Sequence, residues 1–240
     1  MGADTSQTIG VVAGGDDVDP DLSARLPTFD YVIAADSGLH AALRLGLTVD
    51  LIVGDLDSVD RALLERSDAQ VDRHPAAKDQ TDIVLALDRA HGLGASAVVV
   101  VSGGGGRLDH ALANLLVLAA PRYADMRISA HIGDAAVAVV RDRWETAAPA
   151  GTVVSLFAVD GPARVTTDGL RYALRDDVLT SLSSRGVSNE YVGGPAAVTV
   201  REGTVLAIRP GGERRHSRAE DGAPHGTNDA GAAPGRGGAG

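Results

Sequence analysis

Residues 31–58 read YVIAADSGLHAALRLGLTVDLIVGDLDS, and this stretch decides the fold. It holds two continuous apolar runs, at 31–35 and 51–53, separated by a segment with helical spacing at 39–47. Apolar runs without alternation are typical of strands buried on both faces, as in parallel sheets covered by helices. The stretch therefore predicts a strand, a helix and a second strand parallel to the first.

The same alternation continues on both sides of this stretch. Further strands are predicted at 9–13 and 97–101, and further helices at 62–66, 81–91 and 108–120. Strands that alternate with helices at short connections are typical of a parallel sheet with helices on both faces. We therefore predict an α/β domain over residues 1–125.

The pattern changes after about residue 125. Short strand-like runs punctuated by Gly, Pro and Asp predict an antiparallel β-sandwich over 126–210. The last two runs, 197–201 and 204–209, are predicted to form a hairpin around Glu202-Gly203. Residues 211–240 contain no Ile, Leu, Val, Met or aromatic residue, so we predict that this tail is disordered.

Composition excludes several classes of protein. The chain of 240 residues contains no cysteine, which removes disulfides, thiolate metal sites and cysteine nucleophiles. The net charge of −10 argues against a nucleic-acid partner, because such proteins need a basic footprint. No signal peptide and no apolar run long enough to cross a bilayer is visible, so we predict a cytoplasmic protein without a membrane partner.

Acidic residues follow two of the predicted strands. Asp36 comes after the run at 31–35, and Asp55 and Asp57 come after the run at 51–53. The carboxyl ends of parallel strands line the ligand crevice of an open sheet, so these side chains are predicted to share one site. Asp36 has an alternative role as a helix cap. The carboxylates of Asp55 and Asp57 repel each other unless a cation lies between them. Because their ligand atoms are oxygens, the cation that they suit is Mg²⁺.

Two further clusters precede helices. Residues 78–82 read Lys-Asp-Gln-Thr-Asp, where helix capping competes with a role for the helix start and Lys78 as an anion site. Asp82 is a candidate to join the metal ligands. Residues 103–106 are four glycines, which let the backbone approach a ligand closely. On the helix that follows, one face carries a polar stripe of Arg107, His110 and Asn114, and another carries Leu108, Leu112, Leu115 and Ala119.

Five motifs in this order make the chain similar to the thiamine pyrophosphokinase family. They are Asp36-Ser37-Gly38, Gly54-Asp55-Leu56-Asp57-Ser58, Lys78-Asp79-Gln80-Thr81-Asp82, Gly104-Gly105-Gly106-Arg107-Leu108-Asp109-His110, and the pair formed by residues 169–174 and 186–190. The similarity covers about residues 8–210. It implies an enzyme that transfers a diphosphate group from ATP to thiamine with Mg²⁺, giving AMP and thiamine diphosphate. It also implies a homodimer that binds thiamine between its subunits.

The resemblance assigns roles to individual residues. It implies that Asp55, Asp57 and Asp82 hold Mg²⁺ with Asp36 nearby. ATP or its phosphates would be contacted by Gln80, Thr81, Arg107 and Asp109, and the backbone of Gly104, Gly105 and Gly106 would receive phosphate oxygens. Lys78 at the helix start, and His110 and Asn114 on the polar stripe, are further candidates for ATP binding that the residues themselves indicate. Ser188 and Asn189 would contribute to the thiamine site. Either Asp57 or Asp109 would accept the proton of the thiamine hydroxyl.

Two other classes of function stay open at this stage. One is a haloacid-dehalogenase-like phosphatase, in which Asp55 of the Asp55-Leu56-Asp57-Ser58-Val59 stretch would become phosphorylated. In that class the motif opens the fold, whereas here it follows the third predicted strand. The other is a catalytically idle relative that only binds a nucleotide or thiamine.

Overall fold

The computed structural model describes residues 6–75, 77 and 79–211. Lys78 and the predicted tail beyond residue 211 therefore lie outside the described residues. The strands are β1 Thr8–Ala13, β2 Tyr31–Ala35, β3 Leu51–Gly54, β4 Gln70–Arg73, β5 Ala97–Ser102, β6 Arg127–Ile132, β7 Ala135–Val140, β8 Arg143–Ala148, β9 Val153–Asp168, β10 Asp177–Leu179, β11 Asn189–Glu190 and β12 Gly194–Arg209. The α-helices are α1 Gly38–Arg44, α2 Arg61–Arg66, α3 Asp82–Gly92 and α4 Leu108–Leu118. Short 3-10 helices lie at Pro20–Arg25 and Pro121–Tyr123.

The strands in the first part of the chain form a parallel sheet. Its order is β6-β5-β1-β2-β3-β4, with every neighbouring pair parallel. The chain moves outward from β1 to β4, and then α3 returns it across the sheet to β5 on the other side of β1. The strand order thus reverses between β1 and β5, and ligands of open α/β sheets bind at such a switch point.

Both faces of this parallel sheet are buried, as the continuous apolar runs predict. Ile9 and Val11 of β1 pack into a core with α3, while Val12 packs into a second core with α1 on the opposite face. Because successive side chains of a strand point to opposite faces, a strand covered on both sides needs apolar residues at every position. The predicted α/β class of the first part is confirmed.

The second part of the chain is antiparallel β structure and continues the same sheet. β6 pairs in parallel with β5 and antiparallel with β7, and β7 then pairs with β12. The sheet therefore runs without interruption past residue 125, the predicted boundary between the two domains. The predicted order, an α/β part followed by an antiparallel β part, is confirmed.

The predicted hairpin at Glu202-Gly203 is wrong. β12 runs through both residues as one strand of 16 residues, and its partner β9 is equally long. The pairing of β12 with β9 shifts register around Glu202, and such bulges bend strands at the corners of sandwiches. Leu156 and Val165 from the two halves of β9 enter one core, so the bent pair supplies both layers around it.

Candidate functional site

The loops after β2 and β3 bring acidic side chains together at the carboxyl edge of the parallel sheet. Asp36 adopts a positive φ of 48°, and its backbone N–H donates a hydrogen bond of 2.8 Å to the Val53 carbonyl. A Cβ atom on Gly54 would lie 3.1 Å from the Cβ of Asp36 and 3.2 Å from Oδ1 of Asp82. The absence of a side chain at Gly54 therefore lets three acidic loops approach one another.

Asp36, Asp55 and Asp57 form a cluster in which one carboxylate oxygen from each lies within 4.8 Å of the others. A hydrogen bond to Asp55 and the negative charge of that neighbour raise the pKa of Asp57. Ser58 Oγ donates a hydrogen bond to Oδ2 of Asp36, whereas Oδ1 of Asp36 is buried without a hydrogen-bond partner. Crowded carboxylates and an orphaned buried oxygen suit a hard divalent cation, so this donor set fits Mg²⁺.

Asp82 approaches this cluster from the first turn of α3. Thr81 occupies the N-cap position of the helix, but its side chain makes no capping hydrogen bond. The Thr81 hydroxyl instead lies 3.5 Å from the side-chain oxygen of Asn114 on α4. The side chains at the start of α3 thus face the crevice and α4. The alternative that Thr81 serves only as a helix cap does not explain this arrangement.

The glycine loop after β5 is tied to the loop after β1. Ser102 Oγ donates a hydrogen bond of 2.7 Å to the Gly14 carbonyl and accepts one of 3.3 Å from the Gly104 N–H. The Asp16 N–H donates to the Gly104 carbonyl at 2.9 Å. A Cβ atom on Gly103 would lie 1.6 Å from the Asp16 carbonyl oxygen, so this close approach requires glycine.

These loops enclose a cleft of about 480 Å³. The predicted site residues that line it are Asp36, Asp55, Gln80, Thr81, Asp82, Gly104, Gly105, Gly106, Arg107, His110 and Asn114. The structure thus brings together residues from four separate stretches of sequence. Four other predicted residues, Asp57, Asp109, Ser188 and Asn189, do not line this cleft, and Lys78 lies outside the described residues.

Asp109 forms an ion pair with Arg107. The guanidinium donates to both carboxylate oxygens, at 3.1 and 2.5 Å. This pairing lowers the pKa of Asp109 to about 2. A carboxyl group held in this way is a poor proton acceptor near neutral pH, so its geometry suits a group that orients Arg107 at the cleft.

Ser188 and Asn189 lie in the antiparallel part of the chain. Asn189 is buried, and its side chain accepts hydrogen bonds of 2.9 Å from the N–H groups of Tyr172 and Glu190. Its side-chain amide also donates a bond of 2.8 Å to the Tyr172 carbonyl. Asn189 therefore clamps the loop that precedes β10, while Ser188 is exposed with a positive φ of 57°.

Sequence reasoning missed several residues that shape the site. Ser58 directly follows the Asp55-x-Asp57 pair, and Ser102 directly precedes the glycine run, so both stand beside recognised motifs. The Gly14-Gly15-Asp16 stretch follows a predicted strand, where an ordinary turn is as good an interpretation as a crevice wall. Local sequence does not indicate what these residues contact, because their partners come from distant loops.

The fold and the site together define a class: an α/β protein with an open parallel sheet, an acidic crevice walled by a glycine loop, and an appended antiparallel β part. Two family models match this chain in sequence order. The thiamin pyrophosphokinase catalytic domain matches residues 24–130, and the thiamin pyrophosphokinase vitamin B1 binding domain matches residues 143–205. The chain belongs to the thiamin pyrophosphokinase family.

Individual relatives agree with this family. A thiamine pyrophosphokinase of Bacillus subtilis is 34% identical over 116 residues, which are 47% of this chain and 54% of that protein. The chain thus spans about half the length of this curated relative. The crystal structure of a thiamin pyrophosphokinase from Geobacillus thermodenitrificans is 26% identical, with a TM-score of 0.72 over 87% of this chain and 99% of that one.

More distant structures share the fold. The Bacillus subtilis crystal structure has a TM-score of 0.74 at 24% identity, covering 86% of this chain and all of that one. The yeast structure has a TM-score of 0.65 at 13% identity, covering 85% of this chain and 86% of the other. The findings support neither the phosphatase nor the idle-relative alternative. Within the described residues, no helix is both long and apolar enough to span a bilayer.

Proposed function

We propose that this protein transfers a diphosphate group from ATP to the hydroxyl of thiamine, giving thiamine diphosphate and AMP. The observation that carries the proposal is the match of both family domains, in order, on a chain whose sheet edge forms an acidic cleft. The negative charge of this cleft also favours the thiazolium cation of thiamine over neutral ligands of similar shape.

The acidic cluster is the proposed site of Mg²⁺. Asp36, Asp55 and Asp57 would hold the ion, with Asp82 close to them. Bound Mg²⁺ supplies positive charge that neutralises phosphate oxygens, which an acidic cleft cannot bind unaided.

The remaining residues of the cleft would position the two substrates. Backbone N–H groups of the glycine loop and the guanidinium of Arg107 would bind phosphate oxygens. The thiamine hydroxyl then attacks the β-phosphorus of ATP, the bond to the α-phosphate oxygen breaks, and AMP leaves. The hydroxyl proton passes to a carboxylate, and Asp57 is the better candidate because Asp109 is held by Arg107. Catalysis in this scheme is mainly orientation and charge neutralisation.

A second copy of the chain is the proposed partner. Ser188, which the resemblance assigns to the thiamine site, does not line the cleft of its own chain. On α4, beside the cleft, Leu108, Leu112 and Leu116 are exposed by 83%, 55% and 49%. These three residues form the α4 stripe. An apolar stripe of this kind is typical of a surface covered by another protein, which fits a homodimer with thiamine between subunits.

The decisive experiment is product analysis. The protein is incubated with ATP, Mg²⁺ and thiamine, and the nucleotide and thiamine products are separated by chromatography. We expect AMP and thiamine diphosphate in equal amounts, because one transfer releases one AMP.

Other products would contradict the proposal in distinct ways. ADP with thiamine monophosphate would show transfer of a single phosphoryl group. Release of inorganic phosphate from phosphate esters, with a phosphorylated Asp55, would favour the phosphatase alternative. Binding of ATP and thiamine without products would favour the idle relative.

A further inference from the structure

A polar seam lies between two cores on the face of the sheet that α1 covers. Val99 and Val101 of β5 belong to the core beneath α1, whereas Ala138 of β7 belongs to the core of the antiparallel part. β6 lies between these two strands, and on the same face it contributes two polar residues, Ser129 and His131. The junction between the two parts of the chain is therefore polar on this face.

His131 and Arg209 point to this face from one row of the sheet. His131 of β6 pairs with Ala136 of β7, and Ala136 pairs in turn with Arg209 of β12. Paired residues of neighbouring antiparallel strands project to the same side about 5 Å apart, so the Cα atoms of His131 and Arg209 are about 10 Å apart. Only the methyl group of Ala136 stands between the two side chains. The imidazole and the guanidinium thus border a gap that a small ligand can fill.

A second arginine approaches His131 from the segment that covers this face. Arg25 ends the 3-10 helix Pro20–Arg25, whose Leu22 packs into the core beneath α1. The positive charges of Arg25 and Arg209 both act on His131 and, together with burial, lower its pKa. Three basic side chains from three separate segments therefore converge at the seam.

Within the part of the chain that the structure describes, no acidic side chain forms an ion pair with this cluster. Arginines elsewhere pair with acids, as Arg44 does with Asp17 at 2.6 Å. Asp134, in the turn between β6 and β7, is exposed and is not among the groups that shift the pKa of His131. In a chain with a net charge of −10, a cluster left positive in this way indicates a ligand of opposite charge.

The hydrogen-bond donors of this cluster suit a tetrahedral oxyanion. A guanidinium can donate two parallel hydrogen bonds to phosphate oxygens, and a protonated imidazole donates another. A dianion between the three basic groups also relieves the repulsion that opposes protonation of the histidine.

We propose that His131, Arg25 and Arg209 form a binding site for a tetrahedral dianion of the phosphate type, either free inorganic phosphate or the phosphate group of a larger molecule. None of these three residues lines the acidic cleft, so the site is separate from the proposed active site. The ligand would join the two parts of the chain, because Arg25 belongs to the parallel part and Arg209 to the antiparallel part.

Binding at this site should depend on pH through His131. A bound dianion favours the protonated ring, so binding takes up a proton and becomes stronger as the pH falls. Val101 and Ala136, the neighbours of His131 on β5 and β7, carry no charge, and the two arginines keep theirs at every pH used. Sulfate is the suitable probe because it stays doubly charged in the range where phosphate itself titrates.

The test follows the His131 ring and the Ala136 amide by NMR while sulfate is added to the full-length protein, with chloride holding the ionic strength constant. We expect both signals to shift saturably, with binding about five- to tenfold stronger at about pH 5.5 than at about pH 8. In His131→Gln, the Ala136 amide should still report binding, but its affinity should no longer depend on pH.

Two further variants remove the arginines. Arg25→Gln and Arg209→Gln should each weaken sulfate binding about tenfold, because each removes charge-assisted hydrogen bonds. Arg25 is exposed, so its variant should fold even if replacement of the half-buried Arg209 disturbs β12. The matched control is Arg66→Gln, which replaces an exposed arginine at the end of α2 and should leave binding unchanged.

The source of the dianion is identified by comparing inorganic phosphate with glycerol phosphate at about pH 8. Binding of phosphate alone would assign the site to the free anion, and binding of both would assign it to the phosphate group of a larger molecule. Binding of neither would overturn the proposal.

Three results with sulfate would also overturn it: no saturable shift, an unchanged affinity in both arginine variants, or an equal affinity of the wild type at the two pH values. None of these measurements depends on the formation of thiamine diphosphate, so this proposal and the proposed function can fail separately.

Discussion

Asp57 is the most exposed member of the acidic cluster that it forms with Asp36 and Asp55. Its pKa is raised first by Asp55, through a hydrogen bond and through charge, and then by Asp36 and Asp82. The side chain is exposed, so it contributes little to the core of the protein. An acidic residue that is repelled by its neighbours and adds no packing to the core does not stabilise the fold. Its presence is better explained by a bound ligand.

Replacing Asp57 by Asn tests this interpretation. We expect Asp57→Asn to lower formation of thiamine diphosphate by more than about a hundredfold, because a proposed cation ligand and proton acceptor is lost. The melting temperature should stay equal or rise, since repulsion with Asp55 is relieved. Asp68→Asn removes one charge from an exposed position away from the cleft and should keep near-normal activity. Near-normal turnover by Asp57→Asn would remove this residue from the proposed site.

His131 offers a second test at the scale of one residue. Burial, with the nearby charges of Arg25 and Arg209, lowers the pKa of His131 below its ordinary value of 6.5. The folded state therefore favours the neutral ring more than the unfolded state does. The stability that this difference provides is present above pH 6.5 and is lost as the pH falls through the lower, folded-state pKa.

We expect His131→Gln to be less sensitive to acid than the wild type. Between about pH 7.5 and about pH 5, the free energy of unfolding of the wild type should fall further than that of the variant. Urea unfolding at several pH values measures this difference, and other titrating groups cancel because both proteins contain them. Parallel pH curves for the two proteins would mean that His131 has the same pKa in both states.

At the scale of the element, α4 shows what an apolar pattern leaves undecided. The sequence places Leu108, Leu112, Leu115 and Ala119 on one helical face. In the structure Ala119 is buried and Leu115 packs against the core, whereas Leu108 and Leu112 are exposed. A 3.6-residue period identifies an apolar face, but the core of the same chain and the surface of a partner satisfy it equally well.

The α4 stripe therefore predicts the state of assembly. We expect the protein to sediment at a mass near twice the 24.4 kDa of the chain, and Leu112→Asp to shift it to the monomer. If the partner completes the site, the loss of the dimer in Leu112→Asp should also lower the formation of thiamine diphosphate. Analytical ultracentrifugation measures the mass, and Leu93→Asp serves as a control at an exposed leucine outside the stripe. A monomeric wild type, or a dimeric Leu112→Asp variant, would contradict the proposed homodimer.

β9 and β12 show that turn-like residues do not by themselves predict a turn. Asp160-Gly161-Pro162 and Glu202-Gly203 are turn-like by composition, yet both segments lie inside continuous strands. Gly161 and Gly203 adopt φ values of 107° and 82°, which a bulge accommodates and a regular strand does not. Composition detects the local irregularity, and cross-strand pairing decides whether the chain turns back or only bends.

At the scale of the whole molecule, one sheet joins the two parts of the chain. β6 pairs with β5 on one side and with β7 on the other, so the backbone of β5 is hydrogen-bonded on both sides only when β6 is in place. A single hydrogen-bonded sheet couples the folding of both parts more strongly than a flexible linker does.

This continuity predicts one cooperative unfolding transition. Trp144, the single tryptophan, lies in β8 and reports on the antiparallel part, whereas α1–α4 all lie before residue 125 and report on the parallel part. We expect urea unfolding followed by tryptophan fluorescence and by helical circular dichroism to give coincident curves. Two separated transitions would show that the parts unfold independently in spite of their shared sheet.

The sequence by itself determined the class of fold and most of the residues around the cleft. Continuous apolar runs between helical patterns are typical of strands covered on both faces, and residues placed directly after parallel strands meet at one edge of the sheet. Asp36, Asp55 and the glycine loop were predictable for this reason, and Asp82 was predictable because it lies at the start of a predicted helix.

The tertiary structure alone decided the contacts between distant loops. The hydrogen bond from Ser58 to Asp36 and the link between Ser102 and Gly14 join segments that no local pattern relates. The same holds for the continuation of β12 through Glu202 and for the exposure of Leu112. Local propensity depends on a few neighbouring residues, whereas these features depend on which surfaces pack together once the whole sheet has formed.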